Sequence, residues 1–219
     1  MKVVIIGANG KVGRLIAQKM SASQDFEPTA LIRKEEQKEY FESIGVSTIV
    51  ENIESPEEVI AEAIKGYDAV VFSAGSGGAT GADKTIEVDL FGAVKSIEAA
   101  KVNGISRFVM VGAALSDDPK SWQPESMKPY YIAKHLADKE LKRSGLDFTI
   151  LRPVLLTDDE DIGKITIQSD PQSLNKKIPR QAVAETVLRV LPDMATHKKV
   201  MEMSEGSLEI DEAINKFLV

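Results

Sequence analysis

Short apolar runs recur along the chain, and each is followed by a longer stretch whose apolar positions fall three and four apart. The runs Val3–Ile6, Thr29–Ile32, Ser47–Val50, Ala69–Phe72, Arg107–Val111 and Phe148–Leu151 are mostly apolar rather than alternating. That is the pattern of parallel strands buried on both faces. The intervening stretches Val12–Ser21, Glu35–Ile44, Pro56–Ile64, Asp83–Asn103 and Tyr130–Ser144 predict crossover helices. Punctuation agrees: Ser55 before Pro56 reads as an N-cap with proline at the first helical position, and Gly45, Gly66, Gly104 and Gly145 each close a helix. Strict alternation through residue 151 predicts an α/β fold, a doubly wound parallel sheet with helices on both faces and a ligand site at the carboxyl ends of its strands. After Leu151 the rhythm changes to an acidic loop, Thr157-Asp158-Asp159-Glu160-Asp161, a short strand within Gly163–Gln168 and a helix over Gln181–Leu191. Residues 1–151 are therefore expected to form the ligand-binding core of a single domain, and 152–219 a small cap on it.

Composition narrows the chemistry. The chain has 219 residues, 43% hydrophobic and 28% charged, as an ordinary globular protein has. A net charge of −7 with no basic block argues against a nucleic-acid partner. With no cysteine and two isolated histidines, His135 and His197, neither a thiol nucleophile nor a metal site is expected. No stretch approaches the length of a membrane span and the N-terminus does not read as a signal peptide, so the expectation is a cytoplasmic protein with no membrane partner.

Two constellations carry chemistry. The first run leads into Gly7-Ala8-Asn9-Gly10-Lys11-Val12-Gly13, a G-x-x-G-x-x-G turn opening a helix. Its glycines suit a tight turn, a close backbone approach to a pyrophosphate and close helix–strand packing. Arg33, at the end of the second run, stands twenty positions beyond Gly13, where an NAD site carries an acid for the ribose 2′-hydroxyl. A guanidinium there suits a 2′-phosphate and favours NADP(H) over NAD(H); the bland alternative is a solvated helix start, Arg33-Lys34-Glu35-Glu36. The second constellation is Tyr130 and Lys134, which share a helix face at about 100° per residue. A lysine beside a phenol lowers its pKa and fits it for proton transfer. The same spacing also fits a core tyrosine with a snorkelling lysine.

Gly7–Gly13, Ser73-Ala74-Gly75 after the fourth run, Tyr130-x-x-x-Lys134 and Leu151-Arg152-Pro153 together resemble the short-chain dehydrogenase/reductases. The resemblance is best to their compact atypical members, epimerase/dehydratase-like or NmrA-like, with an NAD(P)-binding Rossmann fold. It implies that Gly7, Asn9, Gly10, Lys11, Val12 and Gly13 hold the pyrophosphate, that Arg33 meets the 2′-phosphate and that Asn52 and Ile53 flank adenine. It further implies that Ser73, Ala74, Gly75 and Lys134 lie along the nicotinamide ribose, with Tyr130 as proton donor or acceptor and Lys134 lowering its pKa. Two positions depart from the family pattern: Gly112-Ala113 stand where a serine or threonine is usual, with Ser116 further on, and Val154 replaces a glycine. The expected activity is hydride exchange with a small carbonyl or hydroxyl substrate. A non-catalytic NAD(P)H sensor and a sugar epimerase or dehydratase are the alternatives. The expected partner is a small-molecule substrate, and a monomer and a homodimer both fit the chain.

Overall fold

Strand β1 (Lys2–Ile6) shows why the apolar runs do not alternate: Val3 and Ile5 enter one core while Val4 and Ile6 enter another on the opposite face. The computed structural model, which describes residues 1–78 and 80–219, continues this through β2 (Glu27–Ile32), β3 (Ser47–Val50), β4 (Ala69–Phe72), β5 (Arg107–Val111) and β6 (Asp147–Pro153). All pair in parallel, in the order β3-β2-β1-β4-β5-β6. The order reverses between β1 and β4, and a crevice opens there beyond the strand ends.

The first core lies beneath α1 (Lys11–Ser21), α2 (Lys38–Ser43), α7 (Arg180–Val190) and α8 (Ile210–Leu218), which contribute Ile16, Phe41, Val183, Val187 and Ile214 among others. The second lies beneath α3 (Glu57–Ala63), α5 (Gly92–Val102) and α6 (Lys128–Arg143), through Ile60, Ile97, Ala137 and Leu141. Gly45, Gly66, Gly104 and Gly145 all take positive φ, between 68° and 84°, as helix-closing glycines do. Ser55 is not the expected cap: α3 begins at Glu57 after Pro56, and the Ser55 hydroxyl instead donates to Glu51 Oε1 at 2.6 Å. The stretch predicted as one helix over Asp83–Asn103 is a short α4 (Ala82–Lys84), a π-helical segment Thr85–Phe91 and then α5. The wider π turn brings two polar residues, Thr85 and Asp89, to its buried side.

The final residues do more than cap the sheet. After β6, β10 (Lys199–Glu205) adds a parallel strand, and β8 (Ile165–Gln168) an antiparallel one at the edge. β7 (Leu155–Thr157) and β9 (Lys177–Pro179) form a separate parallel pair. No helix among the described residues is long and apolar enough to cross a membrane.

Candidate functional site

The glycine turn is held by backbone contacts that exclude side chains. At Gly7 (φ +83°) an added Cβ would lie 2.5 Å from Ala74 Cα and 2.7 Å from the Ser73 carbonyl carbon, so the turn after β1 rests on the end of β4. At Gly13 a Cβ would lie 2.7 Å from the Ala8 carbonyl oxygen, which fixes α1 against the turn. Gly10 N–H donates to Gly7 O at 3.1 Å, and Arg14 N–H to Gly10 O at 2.9 Å. The amides of Lys11, Val12 and Gly13 thus form the open first turn of α1. Their side chains do other work: Val12 is in the core, and Lys11 Nζ reaches Asp158 at 2.6 Å. Asn9 Oδ1 accepts from Arg14 NH2 at 2.6 Å, and the Arg14 guanidinium lies over the Tyr40 ring.

In front of this turn lies a cleft of about 300 Å³. Gly7, Asn9, Gly10, Arg33, Asn52, Ile53, Ser73, Ala74 and Gly75 line it together, so nine of the residues singled out in the sequence meet in one place. Arg33 is exposed at the mouth, and among the described residues no carboxylate lies within ion-pairing distance of it. Gln37, which the sequence reading missed, lines the same wall and accepts hydrogen bonds from the backbone N–H groups of Arg33 (3.0 Å) and Lys34 (3.1 Å). The cradle fits a dinucleotide: the open amides of the first α1 turn and a guanidinium with no ion-pair partner among the described residues adjoin the cleft, and the turn that presents them packs on the end of β4 too closely to admit a Cβ at Gly7. Lys11, Val12, Gly13, Tyr130 and Lys134 are not in the cleft wall.

Tyr130 and Lys134 share the inner face of α6. Lys134 Nζ is buried 5.6 Å from the centre of the Tyr130 ring, 3.5 Å from the Ala74 carbonyl oxygen and 3.2 Å from Asp89 Oδ1. Asp89, buried on the π-helical segment, also accepts from Ser76 N–H at 2.8 Å and so ties the glycine-rich loop after β4 to the lysine. That loop includes Ala79, which lies outside the described residues. The expected lowering of the tyrosine is corrected by these surroundings. Burial pushes the Tyr130 phenol above its ordinary range; Lys134 pulls it down, but Asp89 opposes that pull. Burial works against the Lys134 ammonium, yet Tyr130 and Asp89 outweigh it and hold that pKa high. The one hint of Asp89 in the sequence is an acid within the helical run Val88-Asp89-Leu90, on a helix that must bury one face.

Ser116 does not replace the hydroxyl missing after β5. It is fully buried and donates to Asp138 Oδ2 at 3.2 Å. A Cβ on Gly112 would lie 3.2 Å from Asp138 Oδ1, so that carboxylate crowds the glycine. Asp138 belongs to a buried cluster around Arg152, whose guanidinium donates to Asp138 (2.8 Å), Glu202 (2.9 Å) and Asp117 (2.8 Å). Burial raises the Asp138 and Glu202 carboxyls despite Arg152. Burial acts the same way on Asp117, but Lys142 and Arg152 prevail and hold it down at about 2. Trp122 is anchored by donating to Leu115 O at 3.2 Å and stacks on Tyr131.

A doubly wound sheet with a glycine cradle at its switch point and a 300 Å³ cleft beside it defines a nucleotide-binding α/β protein. More narrowly, the chain belongs to the NAD(P)H-binding family, whose model matches residues 7–194. It is 44% identical to the uncharacterized sugar epimerase YhfK of Bacillus subtilis over 216 residues, 99% of this chain and 100% of the relative. It is 38% identical to the Saccharomyces cerevisiae UPF0659 protein YMR090W over 100% of this chain and 97% of that one. A solved Bacillus halodurans structure, described as an NAD-dependent epimerase/dehydratase, superimposes with a TM-score of 0.93 at 39% identity, covering 99% of this chain and 100% of that one. The oxidoreductase YlbE of Lactococcus lactis superimposes with a TM-score of 0.86 at 31% identity, covering 100% and 97%.

Proposed function

We propose that this protein is an NADP(H)-dependent oxidoreductase that reduces or forms a carbonyl on a small molecule, with Tyr130 moving the proton. The observation that carries this reading is Ala74, which lines the cleft and whose carbonyl oxygen lies 3.5 Å from Lys134 Nζ, so the half-buried Tyr130 and buried Lys134 adjoin the cleft. The dinucleotide, when bound, would supply the hydride in reduction and take it up when a carbonyl is formed. In this reading the amides of Lys11, Val12 and Gly13, with Gly7, Asn9 and Gly10, hold the pyrophosphate, and Arg33 takes the 2′-phosphate. Asn52 and Ile53 flank adenine; Ser73, Ala74, Gly75 and Lys134 hold the nicotinamide ribose. A phenol raised by burial keeps its proton at neutral pH, which suits Tyr130 as the acid in carbonyl reduction. The name of YlbE agrees with an oxidoreductase.

One observation favours a second reading. Gly112 and the inward-turned Ser116 leave the position after β5 without a free hydroxyl to orient a substrate oxygen, which suits a non-catalytic NADPH sensor. One experiment decides between them: NADPH consumption with a panel of small carbonyl compounds, for the parent and for Tyr130→Phe, beside a fluorescence titration of NADPH. Loss of the proton donor is expected to cut turnover about 100- to 10,000-fold with NADPH affinity nearly unchanged. Full turnover in Tyr130→Phe removes the tyrosine from the reaction. NADPH binding by the parent without turnover on any compound supports the sensor.

A further inference from the structure

We infer that Gln37 is a specificity residue that favours the phosphorylated over the plain adenosine ribose; this rests on the NADP(H) reading above. Gln37 closes the short 3-10 turn Glu35–Gln37, one step past β2. Its side-chain amide is oriented by two backbone donors, Arg33 N–H at 3.0 Å and Lys34 N–H at 3.1 Å, and only the oxygen of the amide can accept both. The NH2 end is the one not taken by those two amides, on a residue that lines the cleft with Arg33. Among the described residues it donates to none. The neighbouring carboxylates are committed elsewhere: Glu54 to Lys84 at 2.7 Å, Glu51 to the Asn52 N–H and Ser55, Glu36 to Lys34 and Glu35 to Lys38. This corner of the cleft therefore offers two side-chain donors, an amide held in place and an exposed guanidinium. A dianionic phosphate ester needs donors; a ribose hydroxyl is held best by an acceptor.

Glu in place of Gln isolates that difference. Gln37→Glu keeps an oxygen for the Arg33 and Lys34 amides, so the turn retains its hydrogen bonds, while the NH2 donor becomes an acceptor. The test is a fluorescence titration of parent and Gln37→Glu with NADPH and NADH at 0.1 M and 0.5 M salt, with melting temperature as the measure of folding. The expected result is NADPH binding weakened about tenfold or more in both salts, NADH binding held or tightened, and an unchanged melting temperature. High salt screens a merely nearby charge, so a loss that disappears at 0.5 M overturns the inference. Equal loss of both cofactors, or an unaltered ratio, overturns it too. A parent that binds both cofactors alike defeats the 2′-phosphate reading itself, whatever the variant does.

Discussion

The two ends of the site are built on opposite principles. At the Arg33 end, the cleft presents an exposed guanidinium and the Gln37 side-chain NH2, neither of them with a protein partner among the described residues. At the Tyr130 end the charges are already matched, and all but one of them are buried: Lys134 with Asp89, and Arg152 with Asp138, Glu202 and the half-exposed Asp117. The open end has donors left over for a ligand, so changes there alter binding more than folding. The closed end has spent its donors on the protein, so changes there alter folding first. The lesson concerns Lys134: a lysine that shares its charge with a buried aspartate has less to spend on its tyrosine.

The sharpest way to break this contrast is Arg152→Met. The guanidinium is 3% exposed and serves three carboxylates, and two buried carboxylate oxygens, Asp138 Oδ1 and Glu202 Oε2, already lack a partner. Removing one side of a buried ionic cluster costs about 3–5 kcal/mol. Urea unfolding at pH 7 should show a loss of that size, while NADPH affinity of the folded variant stays within a few-fold. The loss should shrink toward pH 5, because Asp138 and Glu202 can then take protons rather than remain buried and unpaired. A variant as stable as the parent at pH 7 would falsify the view of this end as a structural lock.

The same contrast explains what could be read along the chain. The places of Gly7, Gly13 and Arg33 are legible because they follow from spacing within one β-α-β unit: the turn, the helix start and the next strand end are local. The four helix-closing glycines are legible for the same reason. Asp89, Gln37 and the Arg152 cluster are not, because each acquires meaning only through geometry. Lys134 meets Asp89 across 45 positions, and Arg152 meets Glu202 across 50. The π turn that buries Asp89 leaves no periodic mark beyond an acid on an apolar helix. In residues 152–219, read as a small cap, the place of strands β10 and β8 in completing the sheet leaves no such mark, because irregular chain separates them from the βαβ rhythm. The pKa of Tyr130 likewise could not be read from Tyr-x-x-x-Lys: its sign depends on burial and on a carboxylate from another helix.

At the open end the matching variant is Arg33→Ala. A charge-assisted contact to a phosphate contributes about 1.5–3 kcal/mol, so NADPH binding should weaken roughly 10- to 100-fold. NADH should be little affected, and with the side chain exposed the melting temperature should not move. Equal weakening of both cofactors would place Arg33 at a group the two share and remove it as a reader of the 2′-phosphate.

The smallest effect is one of pH, and it separates two kinds of carboxylate held by a single guanidinium. Asp117 is half exposed and is held down at about 2 against an ordinary 3.8, because hydrogen bonds from Lys142 and Arg152 outweigh its burial. A depressed carboxyl stabilises the fold above its unfolded pKa, and that stabilisation is lost as pH falls through the folded value, here between about 3.8 and 2. Asp138 and Glu202 run the other way. Their folded pKa values are raised, so they bind protons more firmly folded than unfolded, and their contribution improves as pH falls toward 4. The urea midpoint should therefore hold or rise slightly on mild acidification and fall below pH 4. Asp117→Asn should flatten that last limb, by no more than about 1 kcal/mol, since a partly exposed pair is screened by water and salt. An acid limb unchanged in Asp117→Asn, measured from pH 4 to 2 at low salt, would mean that the exposed carboxylate contributes nothing and that Arg152 holds this end through its two buried partners alone.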